Sequence, residues 1–378
     1  MLMRKFLFLL IGLSCGYIKG AYAIISQRNV DNFSVTFGAP ILTSTAETLE
    51  KGAWAVGERM EYDRAHPLSD GTLLSSPLAE SQKGFFMNFF MASYGLLEGF
   101  TIGAFLPVQR SHGLREVGDV QLQAADDISA QLDSKEDFDA TNGVELYEDK
   151  EAFQPVDKKV PLNGKSEGEK NVLPKVITLG DTSGVGDSTI FGIWRPNQGN
   201  KDGSFLTTAF LFGTSLPTGK KTIKTRQGEL FTAANQPGTG AWIPFAGIIF
   251  SKNLGQLSLN SSFTYSQTTK GTQNTTLGSY FYYDFAATYP IYESQGKMAF
   301  KANGILELTG EYLNRDKIQG INDPNSGGNS IYINPGIRVN VGESFSCFLG
   351  AGFPIEEKLY GTQVKGQYAI YSGIEISL

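Results

Sequence analysis

The sequence predicts an all-β fold, a transmembrane antiparallel β-barrel of about 12 strands with both termini in the periplasm. Three observations predict it. The first is period-two alternation. In residues 277–289, Leu277, Phe281, Tyr283, Phe285, Ala287 and Tyr289 share one face, while Gly278, Tyr280, Tyr282, Asp284, Ala286 and Thr288 share the other. Segments of about ten such residues, apolar on one side, are the signature of barrel strands, and closure leaves no unpaired edge in hydrocarbon. The second is a secretory leader ahead of all the strands. The third is the regular alternation of short and long connections, expected when one barrel end carries tight turns and the other carries loops.

Residues 1–23 have the form of a signal peptide. Arg4 and Lys5 precede an apolar run from Phe6 to Leu13, and Ala21-Tyr22-Ala23 forms a cleavage site that leaves Ile24 first. The run falls short of the ~20 residues that a spanning helix requires. Residues 24–52 form an N-terminal segment, either periplasmic or a plug within the lumen. The barrel occupies 53–378. Its strands are expected near 53–63, 85–95, 99–109, 185–195, 204–216, 241–252, 256–268, 277–289, 297–309, 330–342, 345–354 and 365–378. The strands at 185–195 and 241–252 are apolar on both faces, which leaves their phase open. Residues 110–183 lack an apolar period and crowd Asp126, Asp127, Asp133, Glu136, Asp137 and Asp139 together, as expected of a long acidic outer loop. The last strand alternates Tyr368, Ile370, Ile374, Ile376 and Leu378 with Ala369, Tyr371, Gly373, Glu375 and Ser377 up to the final residue. Such an end suits the barrel assembly machinery.

Net charge is −6, which argues against a nucleic-acid partner. Cleavage of the leader leaves a single cysteine, Cys347, and so no intramolecular disulfide. The expected partners are outer-membrane lipid and lipopolysaccharide, together with a small-molecule solute. No cofactor is expected.

On the strands with a clear phase, the inward set contains Arg59, Glu61, Asp284, Lys301, Asn303, Glu307, Arg338 and Glu375, with Tyr280, Tyr282, Tyr332 and Tyr371 as aromatic members. Asn88, Tyr94, Phe105, Asn334 and Phe348 join them. A turn centred near residue 293 would set Asp284 opposite Asn303 and diagonal to Lys301. Such a lumen offers either a mixed-charge, aromatic-walled path or a packed polar network that stiffens the barrel.

Other apparent motifs are weak. Asp137, Asp139, Thr141, Glu145 and Glu148 are spaced like calcium-loop ligands, but Asn142 stands where the loop needs Gly, and a solvated acidic loop fits better. Gly213 to Lys221 fails as a P-loop on spacing. A barrel lipid hydrolase would need His66 or His112, the two histidines of the chain, and neither stands in a His-x-Ser arrangement.

Three stretches, Gly184 to Arg195, Leu216-Pro217-Thr218-Gly219, and Gly238 to Phe250, carry a resemblance. Through them the chain resembles a family of outer-membrane transporters named for a meta-pathway of phenol degradation. The resemblance implies a single-chain barrel that passes small hydrophobic or aromatic compounds, and it carries over no catalytic residue. The expectation is therefore a non-enzymatic outer-membrane channel. The alternatives are a surface adhesion or structural barrel acting through its acidic loop and, further off, a lipid hydrolase.

Overall fold

Twelve antiparallel strands follow one another around a closed barrel in the computed structural model, which describes residues 40–118, 174–196, 206–294 and 299–378. The strands are β1 (Trp54–His66), β2 (Gly84–Leu97), β3 (Phe100–Gly118), β4 in two pieces (Lys175–Val185 and Thr189–Trp194), β5 (Thr207–Ser215), β6 (Ile243–Leu254), β7 (Leu257–Ser266), β8 (Tyr280–Ser294), β9 (Phe300–Leu313), β10 (Gly328–Val341), β11 (Phe345–Leu359) and β12 (Lys365–Ser377). Each pairs with its sequence neighbours, and β1 closes on β12 from Ala55↔Ser377 to His66↔Lys365. Twelve tilted strands give a backbone diameter of roughly 24 Å. A short helix, α1 (Asp70–Ser75), is capped by Ser69, whose hydroxyl accepts from the Thr72 amide.

The outer surface is apolar through its middle, with Phe90, Leu106, Phe212, Phe285, Leu308, Leu349 and Ile370 exposed. Aromatic rings gather at its two ends. Trp54, Trp194, Tyr289 and Tyr292 lie toward the short turns, while Trp242, Tyr265, Tyr312 and Tyr360 lie toward the long connections. An apolar band between aromatic girdles is the surface that a bilayer selects. The start of β1 and the end of β12 meet at the short-turn end, where Trp54 and Leu378 exchange backbone hydrogen bonds of 2.9 and 2.7 Å.

Several strands run further than their alternation suggested. β3 extends to Gly118 and β4 begins at Lys175, so both ends of the 110–183 segment are strand, with Gly118 opposite Lys175. β4 is also broken at residues 186–188. Its second piece pairs with β5, but β5 stops at Ser215. The chain then lies along the free edge of the first piece, with Lys220 N–H donating to Val185 O and Arg226 N–H to Leu179 O. The connection thus covers an edge that would otherwise be open.

Candidate functional site: the lumen and its loop-end cavity

The lumen wall has two halves. Strands β7 to β12 and β1 line a polar half, with Ser262, Asp284, Glu307, Asn334, Arg338, Glu375 and Arg59 buried on the inner face. Strands β2 to β6 line an apolar half, with Met87, Phe89, Phe105, Phe191, Leu211 and Phe245 buried in one continuous cluster.

The polar half is organised around Glu375. Its two carboxylate oxygens take Arg59 and Arg338, each at 2.6 Å, with all three side chains almost fully buried. Both guanidinium groups lie over the Phe348 ring, at 5.5 and 4.8 Å from its centroid. Arg338 also donates to Ser346 Oγ at 2.8 Å. Farther along, Tyr282 donates to Glu311 at 3.1 Å, and Ser262 donates to Asp284 at 3.2 Å.

Residues from Pro40 onward run inside this wall. Glu307 accepts the backbone amides of Leu42 and Thr43 at 2.8–3.1 Å. Arg59 donates to Ile41 O and Arg338 to Pro40 O, both at 3.3 Å. The Ala46 amide donates to Ser251 Oγ and the Leu49 amide to Thr101 Oγ1, both at 2.8 Å. Ile41, Leu42 and Ala46 belong to the same buried cluster as the apolar half. Ile41 packs so closely on Gly336 that a Cβ there would come within 2.3 Å of its Cδ1. The described part of the N-terminal segment is therefore lumenal.

Eleven of the twelve candidate lining residues are buried on the inner face: Arg59, Glu61, Tyr280, Tyr282, Asp284, Asn303, Glu307, Tyr332, Arg338, Tyr371 and Glu375. Lys301 shares that face, opposite Asn340 as Asn303 is opposite Arg338, but lies exposed near the short-turn end of β9. The expected pairing of Asp284 with Asn303 is also corrected. Asp284 faces Thr309, and Asn303 faces Pro290, because β8 continues to Ser294, which pairs with Phe300. The slip is even in residues, so every side chain keeps its face.

β2 has the opposite phase to that expected. Asn88 and Tyr94 point outward, Asn88 donating to Glu58 at 2.8 Å and Tyr94 packing on Trp54 at 4.6 Å between ring centroids. Polar-in, apolar-out logic fails there because this half of the lumen is itself apolar. The same property hid Phe191 and Phe245, which lie on the two strands of undecided phase. Their phase follows only from the pairing partners. The calcium-like residues Asp137, Asp139, Thr141, Glu145 and Glu148 lie outside the described residues. Of the histidines, His112 Nδ1 lies 2.5 Å from an Asp181 oxygen that Arg110 also reaches, at the long-connection end.

The stretches that carried the family resemblance converge on Asp187, in the break of β4. Its carboxylate accepts from the Gly219 amide at 2.7 Å, the Thr239 amide at 2.8 Å and Thr239 Oγ1 at 2.6 Å. Gly219 and Gly238 touch backbone to backbone, and a Cβ on Gly219 would lie 2.6 Å from Gly238 Cα. These glycines are needed for close approach rather than for a turn. The motif is a clasp that ties the 216–242 connection to the wall.

Above the lumen, the clasp and the other long connections enclose a cavity of about 590 Å³, within the size range of small-molecule sites. Phe85, Leu277, Ile318 and Val364 supply apolar wall, and Glu80, Glu116, Asp316 and Asp323 supply carboxylates.

Fold and surface together define an outer-membrane β-barrel. The chain belongs to the family described as "Putative MetA-pathway of phenol degradation", whose model matches residues 117–368. Its fold is that of an outer membrane channel from Pseudomonas putida F1, at 12% identity and a TM-score of 0.52, covering 88% of this chain and 98% of that one. A structure titled the CymD monoaromatic hydrocarbon channel aligns over 95% of this chain and 94% of its own, at 10% identity and a TM-score of 0.37. No match is found among curated protein sequences.

Proposed function

We propose that this barrel is a channel for small hydrophobic or aromatic solutes, with the long connections facing outside and the short turns facing the periplasm. The apolar half of the lumen wall carries the proposal. Phe89, Phe105, Phe191 and Phe245 form one continuous inner face, on which Ile41, Leu42 and Ala46 pack and which an aromatic solute would share. A family description that concerns phenol degradation supports an aromatic solute. The cavity at the loop end supplies an entrance of suitable size. On this reading the chain acts without catalysis, its partners are outer-membrane lipid, lipopolysaccharide and the barrel assembly machinery, and the inward residues named above shape the path.

The test is flux of a neutral aromatic, phenol, into proteoliposomes holding the full chain, beside a variant lacking residues 120–170. Flux above that of protein-free vesicles, retained in the deletion, is expected. No flux in either, with a cell-surface phenotype confined to the deletion, would replace the channel with a surface-interaction barrel.

A further inference from the structure

We propose that the 216–242 connection is a docking surface for the phosphate-bearing head of lipopolysaccharide. The proposal rests on the orientation given above, with the long connections outside, and not on the identity of the solute.

Charge is unevenly shared among the long connections. Residues 216–242 carry Lys220, Lys221, Lys224 and Arg226 against Glu229 alone. Residues 67–83 carry Lys83 against Asp70 and Glu80, and residues 314–327 carry two cations and two acids. Residues 267–279, beside the 216–242 connection, add Lys270 and no acid. All five cations of these two neighbours are exposed, and none forms an ion pair with a described residue. Asp181, the acid on the adjoining strand, is taken up by Arg110, His112 and the Gly113 amide.

The cations stand on ordered backbone. Residues 220–226 run along β4, where Lys220 N–H donates to Val185 O at 2.9 Å and Arg226 N–H to Leu179 O at 2.8 Å. The chain then turns back on itself, with Thr225 N–H donating to Glu229 O at 2.7 Å and Phe231 N–H to Ile223 O at 3.1 Å. Ile223 packs on buried Leu114, Leu179 and Phe231, and Thr225 is buried. Alternation therefore turns Lys224 and Arg226 away from the interior. Leu230 pairs with Lys224 and is exposed beside it.

Their height matches the lipid headgroups. β5 has nine residues, just enough to cross the hydrocarbon, and it ends at Ser215, opposite Ile243. Trp242, the next residue up, belongs to the girdle at the long-connection end. Lys221 and Lys270 flank it. Lys221 Cδ lies 3.3 Å from where a Cβ on Gly240 would stand. Thr269, next to Lys270, accepts from the Trp242 amide at 3.0 Å and donates to its carbonyl at 2.7 Å through the same hydroxyl. Cations directly above an aromatic girdle meet the anionic layer of the leaflet. Residues 220–226, extended, reach about 20 Å, which suits a head bearing several phosphates better than a single phosphate ion.

Native mass spectrometry of the detergent-solubilised full chain tests this with bisphosphorylated lipid A, dephosphorylated lipid A, phosphatidylglycerol and inorganic phosphate. Bisphosphorylated lipid A should bind at least about tenfold more tightly than either other lipid, and an excess of inorganic phosphate should not displace it. Lys221→Gln, Lys224→Gln and Arg226→Gln together should weaken lipid A binding about a hundredfold, at roughly fivefold for each cation beside an anionic surface. Lys51→Gln with Lys252→Gln, which removes charge at the short-turn end, should leave binding unchanged. Heat-modified gel mobility confirms that each variant is folded. Equal binding of phosphorylated and dephosphorylated lipid A, or undiminished binding by the folded triple variant, would overturn the docking surface. Equal binding of phosphatidylglycerol would overturn it in favour of a general anionic-lipid contact, and displacement by inorganic phosphate in favour of a small-anion site. A cysteine replacing Gln227 should react with an impermeant maleimide on intact cells. Reaction only after lysis would overturn the orientation, and the docking with it, whereas outside labelling without a phosphate preference would sink the docking alone. Phenol flux tests the channel independently of either result.

Discussion

The two halves of the lumen wall use the same strand geometry to opposite ends. Around Glu375 the inner face is ionic, and its charges are spent on one another and on the backbone of residues 40–43. From β2 to β6 the inner face is mainly apolar, and among the described residues only the side chains of Thr101 and Ser251 accept from the backbone of the N-terminal segment there. A buried ion pair contributes little net stability but is costly to break, whereas an apolar wall offers surface to a solute. Both halves hold the N-terminal segment, the polar half through Glu307, Arg59 and Arg338 and the apolar half by packing on Ile41, Leu42 and Ala46; on the channel reading the solute meets the apolar half.

The largest expected effect tests the polar half. Glu375→Ala leaves Arg59 and Arg338 buried without their shared carboxylate, and should destabilise the barrel by roughly 3–5 kcal/mol. Urea unfolding followed by gel mobility reports it, and a shift in midpoint no larger than that of a surface substitution would mean water reaches these groups. Phe191→Asn tests the apolar half. Losing an apolar contact of about 1.5 kcal/mol should lower phenol flux by about tenfold while the barrel still assembles. Undiminished flux would place the path elsewhere. Glu307→Gln sharpens the division. It keeps an acceptor for Leu42 and Thr43 but removes the charge, weakening the tether by about 1–2 kcal/mol. A cysteine at position 43 should then react with a small maleimide several-fold faster, and an unchanged rate would mean the segment is held by packing alone. The smallest effect belongs to Lys301→Glu. An exposed residue at the strand end should change stability by no more than about 0.5 kcal/mol. A pronounced change in ion selectivity would mean that the short-turn mouth beside Lys301 controls the path.

Much of this was legible because strand periodicity is strict. Tyr280, Tyr282 and Asp284 could be set on the inner face from alternation alone, and an error of several residues in the β8–β9 turn left them there. Four things were not legible. The apolar half violates the polar-in assumption, so Asn88 and Tyr94 were assigned to the wrong face and Phe191 to none. The lumenal course of residues 40–50 depends on acceptors more than 200 positions away, such as Glu307, which no local pattern encodes. The clasp at Asp187 was visible as a family motif, but its purpose appears only when Gly219 and Gly238 are brought into contact. The cavity, built from several connections, left no periodic trace at all.

The ladder between β3 and β4 has a practical consequence. It runs unbroken in its last turns to Gly118 opposite Lys175, so the chain leaves and re-enters the barrel at one fixed, hydrogen-bonded point. Whatever joins those two residues is anchored independently of its own length. Loop closure depends only weakly on length, each doubling adding about 0.6 kcal/mol. The gap between Gly118 and Lys175 is therefore a natural port for grafting, where a peptide epitope or a small folded module could replace the native connection and be carried by an unaltered barrel.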